Sequence, residues 1–396
     1  MNDAVNRKQI RSVQLMSSAC AGMFVFGFVM AILGAILPSL FSEIDLNKSE
    51  AGNLFFTMNL SMLVMSLLFG PVVDRFGFKI FLVLCSLCVA FAFFLFTTAT
   101  NYTVVLIAAI VLGFSGGGLN GGSNALTSDI YADRRAAALN LLGIFFGFGA
   151  LTIPFLIGAF LERVGLDPIL LFATFLSLVP FLLFMSVPFP RPKHEQGFPL
   201  RQAKSVIKHP LLWLCGLLLF FQSGNEFTAG GWISTFLNEH WGLSPITASF
   251  LLAGYWGALM SGRLVSSRIV ERIRSETLIL GSGLLSLAAA LLVVAAPTKE
   301  LSSLGVILLG LGFAAIFPTT LAIAGEIFAS FTGTAFGIIF VIALLGGMLS
   351  PWLAGKVAHI YSIQRAMFIP VFNSSMIMGV LFLILRIQRI DKYKND

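Results

Sequence analysis

One acid stands where acids are costly. Of the 18 Asp and Glu residues in this 396-residue chain, 17 fall in loops, tails or the ends of apolar stretches, and Glu226 alone falls near the middle of one. An ionisable group in such surroundings exchanges a proton, holds a cation, bonds a polar ligand or ties helices together. Gln222 lies one turn before it, Asn225 is adjacent, and Trp232 follows about two turns beyond Asn225, so the four share one broad helical face. Asn59, Asn120, Asn124, Tyr255 and Asn373 fall at similar depth in four other apolar stretches. Any one amide can be a tie between helices, but five stretches placing polar groups at one depth suggest a shared wet cavity. Neutral amides with Trp and Tyr suit an uncharged, polyhydroxylated ligand, because amides pair with hydroxyls and aromatic faces cover sugar C–H surfaces. No Arg or Lys is expected at that depth, which argues against an anionic ligand.

The elements that position these residues follow from composition. The chain is 57% hydrophobic and 11% charged, with mean hydropathy +0.93; soluble domains carry about 25% charged residues. Twelve apolar stretches approach the ~20 residues needed to cross a bilayer. They run over about 13–40, 49–70, 79–98, 103–128, 135–161, 167–187, 210–238, 244–266, 276–296, 301–325, 332–357 and 363–386. A lipid core offers the backbone no water to bond, so each is expected to be a helix. The expected fold is all-α, with twelve transmembrane helices in two pseudo-symmetric six-helix bundles.

Basic residues orient them. With both termini in the cytoplasm, 20 Lys and Arg lie inside and five outside: Lys48, Arg163, Lys299, Lys356 and Arg365. The +7 net charge is therefore spread over cytoplasmic loops and is no nucleic-acid footprint. The chain divides into 1–187, a cytoplasmic linker loop at 188–209, and 210–396. Cys20, Cys85, Cys88 and Cys215 read as small packing residues. His194, His209, His240 and His359 sit in loops or at span ends and assemble no metal site or catalytic triad. Gly116-Gly117-Gly118 in span 4 and Gly143-x-x-x-Gly147 in span 5 suggest close helix contact and local bending.

The two halves repeat each other at a constant offset of 197 residues. Val72-Val73-Asp74-Arg75 returns as Ile269-Val270-Glu271-Arg272, Asp129-Ile130-Tyr131 as Glu326-Ile327-Phe328, Pro154 and Gly158 as Pro351 and Gly355, and Leu112-Gly113 as Leu309-Gly310. Such a repeat in so apolar a chain is the mark of a transporter built from two similar bundles.

Gly70-Pro71-Val72-Val73-Asp74-Arg75-Phe76-Gly77-Phe78-Lys79, between spans 2 and 3, resembles the signature of the major facilitator superfamily. A weaker second copy runs from Gly262-Arg263 to Glu271-Arg272. The resemblance covers nearly the whole chain and implies alternating access, with two bundles rocking about a central site. It also implies a cytoplasmic gate at Gly70, Asp74, Arg75, Gly77, Lys79, Arg263, Glu271 and Arg272. In the family the signature Asp and Arg latch that side; an Asp near a helix N-terminus, here the start of span 11 near Thr332–Thr334, is favoured by the helix dipole. Gly224-Asn225-Glu226 with Trp232, and Gly118-x-Asn120-x-x-x-Asn124, look like the branch of fucose permease and the bacterial glucose/galactose transporters. The chain departs from fucose permease-like proteins in two places, with no acid in span 1, where Gly34 is near the expected position, and Asn120 in span 4. Glu226 is left as the mid-membrane carrier.

The expectation is thus a multi-pass inner-membrane protein, not an enzyme, with both termini cytoplasmic. It would work as a secondary active transporter, taking up a neutral sugar or polyol by proton symport through Glu226. Asn59, Asn120, Asn124, Gln222, Asn225, Trp232, Tyr255 and Asn373 would bind the substrate. A monomer is expected, surrounded by lipid, without cofactor or metal other than the coupling ion. A drug or metabolite exporter of the same fold, or a sodium-coupled or uncoupled sugar carrier, is the alternative. A membrane enzyme would need a catalytic dyad or metal set that the sequence lacks. A nontransporting receptor on the same fold would have little use for the signature or Glu226.

Overall fold

The computed structural model describes residues 2–131, 134–189, 207–269, 272–328 and 332–395. Ten helices in this part are long and apolar enough to cross a membrane: Ser12–Glu43, Lys48–Val73, Arg75–Thr97, Tyr102–Ile130, Ala138–Val164, Leu166–Ser186, Ser275–Ala295, Lys299–Ile327, Ala335–Ile360 and Ile363–Ile387. They are spans 1 to 6 and 9 to 12. Spans 7 and 8 are the helices Pro210–Trp241 and Pro245–Ile269, less apolar because they carry Gln222, Asn225 and Glu226, and Arg263 and Arg268. The twelve expected spans are all helical.

The chain forms two compact units. Unit 1 is Met1–Leu46 with Leu54–Gln196, and unit 2 is Asn47–Asn53 with Gly197–Asp396. Most of the expected linker at 188–209 lies outside the described residues. Within unit 2, the short segment Asn47–Asn53 is tied by a Lys48–Glu239 ion pair of 2.9 Å, a Lys356 to Ser49 hydrogen bond of 2.6 Å and the Trp352 indole donating to Asn53 at 3.2 Å. The same segment starts span 2 with a capping box, Asn47 and Glu50 each accepting the other's backbone N–H at 3.0 Å.

Spans 2 and 3 join without a loop. Helical turns run from Lys48 to Thr97, interrupted at Gly77, whose φ of 79° and ψ of 161° turn the chain. A side chain would disfavour that backbone, so the signature requires glycine there.

The repeat seen in sequence returns as packing. A Cβ at Gly113 would collide with the carbonyl of Met58, and one at Gly310 with the carbonyl of Tyr255. Both partners of that contact are displaced by the same 197 residues. A Cβ at Gly149 would collide with the Phe24 carbonyl and one at Gly346 with the Phe220 carbonyl, so span 5 meets span 1 as span 11 meets span 7. Gly143, by contrast, has nothing within 4 Å of an added Cβ. The close contact expected at Gly143 is made at Gly149 instead, because that glycine faces span 1.

The core of unit 2 gathers Leu212, Cys215, Leu218 and Leu219 of span 7 with Ile316, Ile323, Ile339, Ile377 and Leu381. Span 10 is broken: helix Lys299–Phe313 stops, and a second helix starts at Ile316. Pro318 has no N–H for the carbonyl of Ala314, which weakens the ladder there. The glycine run Gly116–Gly118, at the equivalent place in span 4, stays inside the continuous helix Tyr102–Ile130. The bend thus falls in the proline-bearing copy rather than the glycine-rich one.

Candidate functional site

Span 7 starts cleanly. His209 accepts the backbone N–H of Leu211 at 3.3 Å, and Pro210 occupies the first turn, where its missing N–H costs nothing. Glu226 lies about 24 Å along the helix axis from that start at 1.5 Å per residue. Gln222, one turn earlier, donates through Nε2 to Glu226 Oε1 at 3.0 Å and to the carbonyl of Phe313 at 3.0 Å. Phe313 is the last residue before the break in span 10, so the discontinuity turns a helix-end carbonyl toward span 7.

The other partner of Glu226 is a cation. One terminal nitrogen of Arg263, on span 8, donates to both carboxylate oxygens, at 3.3 Å and 3.0 Å. The expectation that no Arg or Lys reaches this depth is therefore corrected. The backbone of Arg263 sits near the end of span 8, as the gate assignment supposed, but its long side chain carries the guanidinium to Glu226. A register signal was present: in the hairpin of spans 7 and 8, residues equidistant from the turn at Gly242 face each other. Glu226 thus stands opposite Ala258, about 7.5 Å along the axis from Arg263, a gap that a long arginine side chain bridges.

The Tyr255 hydroxyl, also from span 8, approaches the backbone carbonyl of Glu226 at 3.5 Å. Its ring is fully buried against Trp256 and Phe313, with centroids 5.3 Å and 6.4 Å apart. Two buried atoms of this cluster, Gln222 Oε1 and Arg263 Nε, and Oδ1 of the neighbouring Asn225, make no hydrogen bond to any described residue.

The remaining expected site residues divide between the units. In unit 2, Asn225 donates to Ser374 at 3.2 Å, Asn373 to Ser350 at 3.4 Å, and the Trp232 indole to the Pro351 carbonyl at 3.0 Å. These bonds tie span 7 to span 12, span 12 to span 11, and span 7 to span 11; Ser350 and Ser374 were not singled out from sequence. In unit 1, Asn124 donates to the side chain and to the backbone carbonyl of Asn120, both at 2.9 Å, and both residues are half-buried. Asn59 is buried and donates to the Phe55 carbonyl at 2.8 Å.

Of the gate residues besides Arg263 and Gly77, Gly70 has open space beside it. The Arg75 guanidinium lies 5.3 Å from the Phe76 ring centroid. Lys79 donates to the Met185 carbonyl at 2.8 Å, at the C-terminal end of span 6, where a cation meets the negative end of the helix dipole. Arg272 is exposed and its backbone N–H bonds Ile269 at 2.8 Å. Glu271 and the side chains of Asp74 and Thr332–Thr334 lie outside the described residues.

Comparison with known proteins agrees with this architecture. The chain is 24% identical over 412 residues to Bypass of stop codon protein 6 of Saccharomyces cerevisiae, covering 91% of this chain and 80% of that one. It is 23% identical over 366 residues to the glucose/galactose transporter of Brucella abortus, covering 88% of each. The crystal structure of a mutant of the nucleoside transporter NupG superposes with a TM-score of 0.78 at 16% identity, covering 94% of this chain and 99% of that one. The family model of the Major Facilitator Superfamily matches residues 19–351 and, a second time, 215–395. The chain belongs to the Major Facilitator Superfamily and is a multi-pass membrane transporter, not an enzyme.

Proposed function

We propose that this transporter carries a neutral, hydroxyl-rich solute, a sugar or related polyol, by alternating access, with Glu226 coupling its movement to a proton. The observation that carries this reading is a set of buried atoms on and beside the Glu226 cluster that bond no described residue: the amide oxygens of Gln222 and of the neighbouring Asn225, and one guanidinium N–H of Arg263. A hydroxyl is donor and acceptor at once, so a polyol suits both kinds of group. An apolar drug offers these groups no partner. Arg263 does not make the site select anions, since its charge is cancelled by Glu226 at 3.0 Å. The relative in Brucella abortus, named a glucose/galactose transporter, supports the same substrate class. Asn59, Asn120, Asn124, Trp232, Tyr255 and Asn373 are assigned to the substrate or to the walls that hold its ligands, and the cytoplasmic gate to the signature residues. The distribution of basic residues supports cytoplasmic termini; symport inward across the inner membrane belongs to the same proposal.

A thermal-shift screen of purified protein against sugars, polyols, nucleosides and drugs tests the substrate class, because a ligand of the folded state raises its melting temperature. Sugars or polyols should raise it. Stabilisation confined to hydrophobic cations would refute the reading.

A further inference from the structure

Spans 7, 11 and 12 meet in a polar junction inside unit 2. Asn225 of span 7 donates to Ser374 of span 12 at 3.2 Å, and Asn373 of span 12 donates to Ser350 of span 11 at 3.4 Å. A Cβ at Gly224 would collide with the Ser350 hydroxyl and stand 3.0 Å from the Asn373 Nδ2. About two turns further along span 7, the Trp232 indole donates to the Pro351 carbonyl at 3.0 Å. Thr228 lies midway between those two contacts with span 11, on the same row of the helix, and is fully buried.

Elsewhere in this chain buried hydroxyls bond the carbonyl one turn back, as Ser86 does to Leu82 at 2.8 Å and Thr320 to Ile316 at 2.7 Å. Thr228 Oγ1 makes no hydrogen bond to any described residue, and neither does Asn225 Oδ1. Side chains three residues apart on a helix are neighbours, with Cβ atoms about 5–6 Å apart, so one small guest reaches both oxygens. The amide oxygen only accepts, so the guest must donate, which excludes an anion. Ser350, Asn373 and Ser374 are neutral, so a cation among them would lie uncompensated in the interior. An O–H group fits: it donates to the amide oxygen and exchanges a bond with the threonine hydroxyl.

The internal repeat shows that packing does not require these polar groups. At the positions 197 residues earlier stand Phe28 for Asn225, Ala31 for Thr228, Ile153 for Ser350 and Leu176 for Asn373. Phe28, Ala31 and Ile153 are fully buried. Unit 1 fills with hydrocarbon what unit 2 keeps polar.

We propose that Asn225 and Thr228 form a hydroxyl-binding subsite facing spans 11 and 12. A water occupies it in the unloaded transporter, and one hydroxyl of the solute takes its place on loading. The loading step rests on the reading of the solute as a polyol, and it makes Thr228 a specificity-determining residue.

Thermal unfolding of T228V, N225L and the double variant in detergent, without solute, tests the shared guest. The two side chains make no bond to each other, so they couple through what both hold. T228V should lower the melting temperature of the wild type and lower it less, or raise it, in the N225L background. Additive shifts overturn the subsite. Should N225L not fold, N225A takes its place in the cycle. Glucose, sorbitol, inositol and glycerol then probe the loaded state by thermal shift. Those that stabilise the wild type should bind T228S comparably and T228V about five- to tenfold more weakly, the loss of one hydrogen bond. Equal binding by T228V and the wild type, with the coupling intact, leaves water alone in the subsite and overturns the loading step. Stabilisation confined to hydrophobic cations in the same screen overturns the polyol reading and the loading step with it, while the melting cycle still decides the water.

Discussion

Replacing Gly310 with alanine should destabilise this protein, whereas the same change at Gly143 should not. A Cβ at Gly310 would overlap the backbone carbonyl of Tyr255 and stand 3.1 Å from both the Ala258 Cβ and the Leu259 nitrogen. None of these atoms sits at the end of a flexible side chain, so spans 8 and 10 must move apart. Overpacking of this kind costs about 1–3 kcal/mol. Alanine also regains about 0.5–1 kcal/mol over glycine inside a helix, a gain that Gly143→Ala, with open space beside it, receives in full. The difference between the two variants isolates the steric part. At about 2–4 °C per kcal/mol for units of this size, Gly310→Ala should melt several degrees below Gly143→Ala in detergent, as followed by tryptophan fluorescence. Tyr255 and Arg263 belong to span 8, so the displaced helix should also lower transport at temperatures where the variant is folded. Equal melting temperatures for the two variants would refute the inferred closeness of spans 8 and 10. Gly113→Ala, against the Met58 carbonyl, should reproduce the effect in unit 1.

Glu226→Gln should abolish uphill accumulation in proteoliposomes while substrate counterflow, which needs no net proton movement, survives at least in part; retained accumulation removes Glu226 from the coupling. Asn120→Ala and Asn124→Ala should weaken binding of a hit from the thermal-shift screen more than Cys85→Ser or Cys88→Ser, and the reverse order with folding intact would redraw the substrate site. Asp74→Asn should shift the balance between inward and outward accessibility, read by cysteine labelling from each side. Unchanged labelling together with unchanged transport would exclude Asp74 from the gate.

Much of the fold was legible because a bilayer constrains a sequence severely. Length and apolarity place the spans, since a helix is the way an isolated segment satisfies its backbone in lipid. The repeat was legible for a different reason. Glycines at backbone-to-backbone contacts admit no substitute, so Gly113 and Gly310 kept their register while most side chains around them diverged. The break in span 10 was not legible. Gly116–Gly118 looked like the place to bend, yet glycine only permits a bend. Span 4 has no internal proline, and its backbone bonds stay closed where opening them would cost an unpaired carbonyl. In span 10, Pro318 removes a donor and Gln222 bonds the Phe313 carbonyl beside the break.

The site was legible residue by residue but not in its connections. Depth in a span singles out Glu226, because burying an acid must be compensated. It does not say what compensates it. Counting Arg263 by its Cα put it in the cytoplasmic loops, which satisfies the topology rule, while its guanidinium reaches the carboxylate at 3.0 Å. A basic residue about 9 Å from the end of a span, as Arg263 is from Ile269, can serve both purposes, because its long side chain carries the charge away from its Cα. A Glu226 bonded only to neutral amides would have needed the membrane itself to decide its charge. Paired with Arg263 at 3.0 Å, it is neutral as a unit when ionised, so neither charge is left uncompensated in the interior.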